Sequence, residues 1–257
     1  MARRKPQSQK LKRNQATKEP YDRVLIVCGA EQTEPNYFNY LINSYKLKTV
    51  TIEKYGYEPV TLIKETKRLV DKERKNGNSF NRVFCIFDKD EQPKYENALN
   101  ELKKLSQKNK VWENADIVSV PCFEYWYLLH FDPTTKPFQK SPKTNSLSKQ
   151  VIDELKKHIP NYEKYNQNMF QQLAEKLPFA IKNAKNSLVK AKENQTDNPT
   201  TKVHLLVEYL QGLNLPIAIK HIETLLSQAK ENKMDNVKIR VLEQYLNQLR
   251  EKQKLKK

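Results

Sequence analysis

The residues best suited to chemistry in this sequence are acids that directly follow apolar runs. In VFCIFDKDEQ, an apolar run ends at Asp88, and Asp90 stands two positions later. In extended chain, side chains two residues apart point to the same side. Crowded carboxylates raise one another's pKa unless a cation neutralises them, and oxygen ligands suit Mg²⁺. The spacing therefore predicts a site for Mg²⁺ (or Mn²⁺) at Asp88 and Asp90.

Further acids follow two other apolar runs. Glu31 and Glu34 come after RVLIVC, and Glu124 comes after ADIVSVP. We interpret these three glutamates as further metal ligands or as the group that activates water. His130 is a candidate for proton transfer, because imidazole titrates near neutral pH. For each residue a structural role also stays open: an acid in a surface turn or a first helical turn, or a histidine at the edge of the core.

The chain as a whole is strongly basic. It carries 47 Lys and Arg against 30 Asp and Glu, a formal net charge of +17. Such a surplus favours polyanionic partners, because neutralising phosphates releases condensed counterions. We therefore expect a nucleic-acid partner, RNA or DNA, with a metal at its phosphate reconciling the acids with the basic chain. A purely electrostatic RNA-binding or assembly protein, in which the acids are incidental, is the alternative.

Several other classes of protein are disfavoured. No apolar run approaches the roughly 20 residues that span a bilayer, and the basic N-terminus lacks an apolar signal segment. These features predict a cytoplasmic protein without membrane contact. The three cysteines lack metal-binding spacing, so we expect them to be buried thiols. The four glycines form neither a dinucleotide fingerprint nor a P-loop.

Strands alternate with helices over the first half of the chain. Continuous apolar runs predict strands at 23–28, 49–55, 82–88 and 115–121, and helical periodicity follows each. This order predicts an α/β fold with an open, mostly parallel sheet and helices on both faces. Ligands of such sheets bind beyond the carboxyl ends of the strands, where the acids fall. We expect Thr33 or Glu34 to cap the first helix, with Pro35 at its first position.

Composition divides the chain into four parts. Residues 1–20 are basic and almost free of apolar side chains, which predicts a disordered tail. Residues 21–131 form the predicted α/β core, and 132–212 a polar linker followed by a helical part. Residues 213–257 read as a helical extension. Whether that extension forms a homo-oligomer or docks a partner stays open.

Four blocks resemble, in order and spacing, the signature blocks of the RloB family: AEQTEPNYF, VFCIFDKDE, PCFEYWYLLHF and NPTTKVHLLVEYL. The resemblance runs from about Tyr21 to Leu210. It implies a Toprim-like domain, a role in bacterial phage defence and an ATPase partner. In Toprim domains a Glu follows the first strand and a DxD follows a later one, and they bind Mg²⁺ for nucleic-acid cleavage or phosphoryl transfer. The DxD corresponds to Asp88 and Asp90.

One position departs from the family pattern. Members commonly read CEGEKTEPNYF where this chain reads CGAEQTEPNYF, so Gly29 occupies the position of the Toprim glutamate. Glu31 and Glu34 are the nearest acids that could replace it. Two hypotheses follow: a Mg²⁺-dependent Toprim-like nuclease, or a degenerate Toprim module that binds nucleic acid or a partner protein without cleavage.

Overall fold

The protein is seen here as a computed structural model that describes residues 22–89, 92–140 and 146–255. The predicted basic tail over residues 1–20 lies outside the described residues, and so does Asp90.

The described chain contains a five-stranded sheet in the order β2–β1–β3–β4–β5. The first four strands are parallel, and β5 pairs antiparallel with β4. This confirms the predicted open, mostly parallel sheet. The strands are β1 (Val24–Cys28), β2 (Val50–Lys54), β3 (Arg82–Asp88), β4 (Asp116–Val120) and β5 (Thr200–Thr201).

Ten α-helices lie among the described residues. Five belong to the α/β part: α1 (Thr33–Ser44), α2 (Pro59–Lys75), α3 (Tyr95–Lys108), α4 (Glu124–Leu128) and α5 (Leu147–Lys156). Five follow: α6 (Met169–Leu173), α7 (Leu177–Glu193), α8 (Val203–Leu213), α9 (Leu215–Glu231) and α10 (Asn236–Lys254). No helix in the described ranges is long and apolar enough to cross a bilayer.

The predicted start of α1 is wrong. Gln32 is the N-cap and makes no side-chain capping bond, so Thr33 and Glu34 already lie in the first turn and Pro35 is the third helical residue. The Thr33 hydroxyl donates to the carbonyl of Lys164 at 3.1 Å, so this residue contacts the segment after α5 from within the first turn.

The sheet buries an apolar cluster on each face. Residues Leu25, Val27, Val83, Cys85 and Phe87 meet α2 and α3 on one side. The other face carries an aromatic cluster whose ring centroids lie 5.1–6.4 Å apart around Tyr37, namely Phe38, Phe123, Trp126, Tyr127 and Phe170. Phe123 and Trp126 are buried in this cluster, and the prediction that the three cysteines are buried thiols is confirmed.

A buried hydrogen-bond chain ties the C-terminal helices to α1. Gln211 in α8 is fully buried and donates to the Tyr45 hydroxyl at 2.9 Å. The side-chain carbonyl oxygen of Gln211 accepts a hydrogen bond from the Tyr245 hydroxyl of α10. Replacing Gln211 would therefore leave two phenol groups buried without this partner.

We expect Gln211→Leu to lower the free energy of unfolding by about 1–3 kcal/mol for each hydroxyl left without its partner. Chemical denaturation followed by circular dichroism measures the change. Adding Tyr45→Phe and Tyr245→Phe to Gln211→Leu should recover part of the loss, because no donor or acceptor then remains unmet. A Gln211→Leu protein as stable as the wild type would contradict the assignment.

Candidate functional site

A cleft of about 170 Å³ opens at the carboxyl ends of β1 and β3. Its wall includes Gly29, Glu34, Tyr57 and Asp88, and we call it the carboxylate cleft. Each strand ends where its buried apolar run stops, so the polar residues that follow meet at this edge of the sheet. The cleft therefore lies where the sequence predicts a ligand site.

Glu34 is the buried acid of the cleft. It is only 2% exposed, and its Oε2 atom has no hydrogen-bond partner among the described residues. Burial raises the pKa of Glu34 to about 7, opposed by hydrogen bonds from the backbone and assisted by the negative charge of Glu124. A carboxyl group in this condition is protonated or ionised with nearly equal ease near neutral pH.

Glu124 begins α4 and is also 2% exposed. Its Oε1 atom accepts a hydrogen bond from the Tyr162 hydroxyl at 3.1 Å and lies 3.7 Å from the Lys164 ammonium. The influence of Glu124 on the pKa of Glu34 places the two carboxyls close together. The carboxyl groups of Glu34 and Glu124 thus have the Lys164 ammonium at one side.

The segment that supplies Tyr162 and Lys164 connects α5 to α6 and is bound to α1. The Lys164 carbonyl accepts from Thr33, and the Tyr165 carbonyl accepts from the Asn36 side chain at 3.4 Å. The Tyr162 ring packs edge-on against Tyr127, 6.1 Å between centroids. These contacts hold the ammonium of Lys164 beside the acids.

Asp88 ends β3 and lines the carboxylate cleft with Glu34. Burial raises the pKa of the Cys122 thiol, and the charges of Glu124 and Asp88 raise it further. The next residue, Lys89, turns to Asp197, with 2.6 Å between its Nζ and Oδ2 of the carboxylate. The described chain therefore brings Glu34, Asp88 and Glu124 to one edge of the sheet.

Two other predicted site residues do not join this group. Glu31 is exposed and lies against Gly56, where an added Cβ would come within 2.8 Å of Glu31 Oε1. His130 is buried, and its Nδ1 lies 2.9 Å from the Trp126 carbonyl. Burial lowers the pKa of His130 to about 3, so the imidazole is neutral. Asp90 belongs to the residues that are not described.

The donor set at this edge suits a hard cation only in part. Within residues 22–89, 92–140 and 146–255, no group of three or more His, Cys, Asp or Glu side chains is placed to hold a metal ion. Asp88 supplies carboxylate oxygens, the ligands that Mg²⁺ prefers, and Glu34, one oxygen of which lacks a partner among the described residues, lies in the same cleft. Mg²⁺ keeps several waters and binds substrate phosphate, so one or two carboxylates are enough protein ligands for it.

Gly29 sits tightly at the end of β1. Its amide donates to the Ile86 carbonyl at 2.8 Å. A Cβ added at Gly29 would lie 3.3 Å from that same oxygen and 3.5 Å from Phe87 Cβ. A side chain at Gly29 therefore requires the backbone at Ile86 to shift by a few tenths of an ångström.

The fold and the site together define an α/β protein whose parallel sheet carries buried acids at its carboxyl edge. The family model described as "RloB-like protein" matches residues 24–210, and the chain belongs to that family. Comparison with curated proteins and with solved structures gave no match.

Sequence reasoning missed the partners of the acids. Lys164 and Tyr162 lie about 40 residues beyond Glu124, in a stretch without strand or helix periodicity. Tyr57 stands in the short loop before α2. The one available signal was the interleaving of aromatic and basic residues in NYEKYNQN, which is common in nucleic-acid contacts.

Glu34→Gln should stabilise the protein in a pH-dependent way. The folded pKa of Glu34 is about 7, above its ordinary value of 4.5, so the folded state binds a proton that the unfolded state releases between these pH values. Wild-type stability then falls as the pH rises from 4.5 to 7, by on the order of 3 kcal/mol. Glutamine removes this loss.

Urea denaturation at pH 4, 6 and 8 with EDTA tests this prediction. The two proteins should be similar at pH 4, and Glu34→Gln should be more stable at pH 8. Glu31→Gln, at an exposed acid in the loop just before α1, controls for the removal of one charge. A stability difference that is constant across the pH range would show that Glu34 is not held as described.

Proposed function

We propose that the protein is a Mg²⁺-dependent nuclease that cleaves phosphodiester bonds of RNA or DNA. One observation carries the proposal: Glu34, buried and with an oxygen lacking a partner among the described residues, shares the cleft at the carboxyl edge with Asp88. Perturbed acids in a cleft are typical of catalytic sites. The basic chain supplies the attraction for a polyanion.

Each acid has a distinct role in this proposal. Asp88, with Asp90 as the second acid of the DxD, would hold the cation. Mg²⁺, when bound, supplies charge stabilisation for the attacking and leaving oxygens of the phosphodiester. Glu34 would accept the proton of the attacking water, since a pKa of about 7 suits a general base at neutral pH. Glu124 accepts a hydrogen bond from Tyr162 and pairs with Lys164, and it would be a positioning residue for the groups around Glu34.

The biological setting comes from the family resemblance. We propose that the nuclease acts in anti-phage defence together with an ATPase partner.

Two other predicted residues are less suited to catalysis than Glu34. Glu31 is the other acid near the Gly29 position, but it is exposed and lies beside Gly56. His130 is less suited to proton transfer, because burial keeps its imidazole neutral.

Asp88→Asn and Glu34→Gln should each lower the rate of Mg²⁺-dependent cleavage by about 10²–10⁴-fold, the range typical of a lost catalytic acid or base. Labelled RNA and DNA substrates with Mg²⁺ or Mn²⁺ give the rate, in the presence of the proposed ATPase partner. Glu101→Gln, an exposed acid on α3, should retain full activity. Cleavage that persists in Asp88→Asn would remove the proposal.

A module that binds without cleaving is the second candidate. Two observations favour it: Gly29 stands at the Toprim glutamate position, and Lys164 already supplies a cation beside Glu124. In this case the site binds a polyanion or a partner protein and performs no chemistry.

Gly29→Glu separates the two candidates. If the native chain has lost its catalytic acid, this substitution should create cleavage where the wild type has none. The added Cβ requires a small shift of the Ile86 backbone, so circular dichroism must first show that the variant is folded. Gly29→Gln provides the matched control of equal size without the carboxylate. A wild type already active in Mg²⁺ would exclude the binding-only function.

A further inference from the structure

Two exposed tyrosines belong to segments that meet at the acidic edge of the sheet. Six large hydrophobic residues of the described chain are 37% or more exposed, and only Tyr57 and Tyr165 among them are aromatic. Tyr57 forms part of the wall of the carboxylate cleft. The Tyr165 carbonyl accepts from the side chain of Asn36, which stands two residues after Glu34 in α1. Exposed aromatic side chains thus concentrate at the acidic edge.

Tyr57 is held as a platform. Its ring stacks on Tyr55 with 5.3 Å between centroids and 14° between planes, and Tyr57 is still 44% exposed. Gly56, which precedes it, has a φ of +63° that side-chain-bearing residues rarely adopt. The turn and the stacked neighbour together fix the ring at the cleft, so little conformational entropy is lost when a flat ligand stacks on it.

Lys164 supplies a cation next to the second ring. Its ammonium lies 3.7 Å from Glu124 Oε1, and 61% of its side chain is exposed. The backbone of Lys164 and Tyr165 is fixed to α1 by hydrogen bonds from Thr33 and Asn36. The ammonium is therefore anchored to the acid site and still open to a phosphate from solvent.

We propose that the carboxylate cleft takes an unpaired polynucleotide strand, whose bases stack on Tyr57 and Tyr165 and whose backbone phosphate pairs with Lys164. The inference rests on the proposed function, because a strand bound in this way passes Asp88 and Glu34. Every base has a π-face, so stacking of this kind tolerates any sequence. A duplex keeps its base faces inside the helix and offers neither ring a partner.

Fluorescence anisotropy of the full chain tests the inference with a labelled 12-nucleotide strand, as DNA and as RNA, and with duplexes of the same sequence. Binding is measured in EDTA and again in Ca²⁺, so that it is separated from cleavage. We expect the single strand to bind more tightly than the duplex. Tyr57→Ala and Tyr165→Ala should each weaken its binding by about 5- to 150-fold and leave duplex binding unchanged.

Matched variants separate stacking from other causes. Tyr57→Phe should bind like the wild type, whereas Tyr57→Leu, which keeps the apolar surface without the ring, should bind like Tyr57→Ala. Val237→Ala removes an exposed apolar side chain on α10 and should have no effect. Lys164→Gln should lower the slope of log K against log salt by about 0.7, the value for one phosphate of a single strand. Lys254→Gln on α10 is the charge control.

The outcomes distinguish this inference from the proposed nuclease. Tyrosine-dependent preference for single strands without any cleavage in Mg²⁺ supports the inference and removes the nuclease. Cleavage that needs Asp88 but proceeds on duplexes, with binding insensitive to both tyrosines, supports the nuclease and overturns the inference. Equal affinity for single strand and duplex also overturns it.

Discussion

The burial of two carboxyl groups at one edge of the sheet is the constraint on which the rest of the site depends. Glu34 and Glu124 are each 2% exposed, and an isolated charge in such a place costs several kcal/mol. The chain offsets the cost unequally. Glu124 receives a phenol and an ammonium, whereas Glu34 has a raised pKa and an oxygen without a partner in the described chain. Glu34 is therefore the carboxyl group whose cost of burial is less fully offset.

This constraint explains why the helical part belongs to the same structure as the sheet. The contact between Thr33 and Lys164 spans 131 residues of sequence, and it places Lys164 beside Glu124. Without the segment between α5 and α6, Glu124 would remain buried without the ammonium or the Tyr162 hydroxyl. The helices after the sheet therefore do more than cover its apolar face, because they complete the electrostatics of its edge.

The sequence predicted the elements well where the chain is periodic. Four strands and the sheet type follow from runs such as RVFCIFD, since burial on both faces leaves an unbroken apolar signal. It failed where distant parts of the chain meet. Thr33 at the start of α1 bonds to Lys164, 131 residues away, and β5 is a two-residue strand recognisable only by its pairing with β4.

The residues of the candidate site also divide into those that the sequence predicted and those that it did not. Strand-end position predicted Glu34, Asp88 and Glu124, because the ends of parallel strands meet at one edge whatever the loops do. The same rule put forward Glu31, and the titration range of imidazole put forward His130; their side chains make local contacts with Gly56 and Trp126 instead. No short motif marks Tyr162 and Lys164, since only tertiary packing brings them to the acids.

The basic charge of the chain does not simply cancel these acids. Lys89, the neighbour of Asp88 in sequence, pairs with Asp197, and Lys164 pairs with Glu124. A phosphate that approaches Glu34 therefore brings a negative charge to a carboxyl group whose ionisation is already opposed by burial and by Glu124. Where it is not paired with Lys164, it must arrive together with a proton on Glu34 or with a cation. Binding of a polyanion at this edge is thus linked to binding of a positive ion, which a uniformly basic surface would not require.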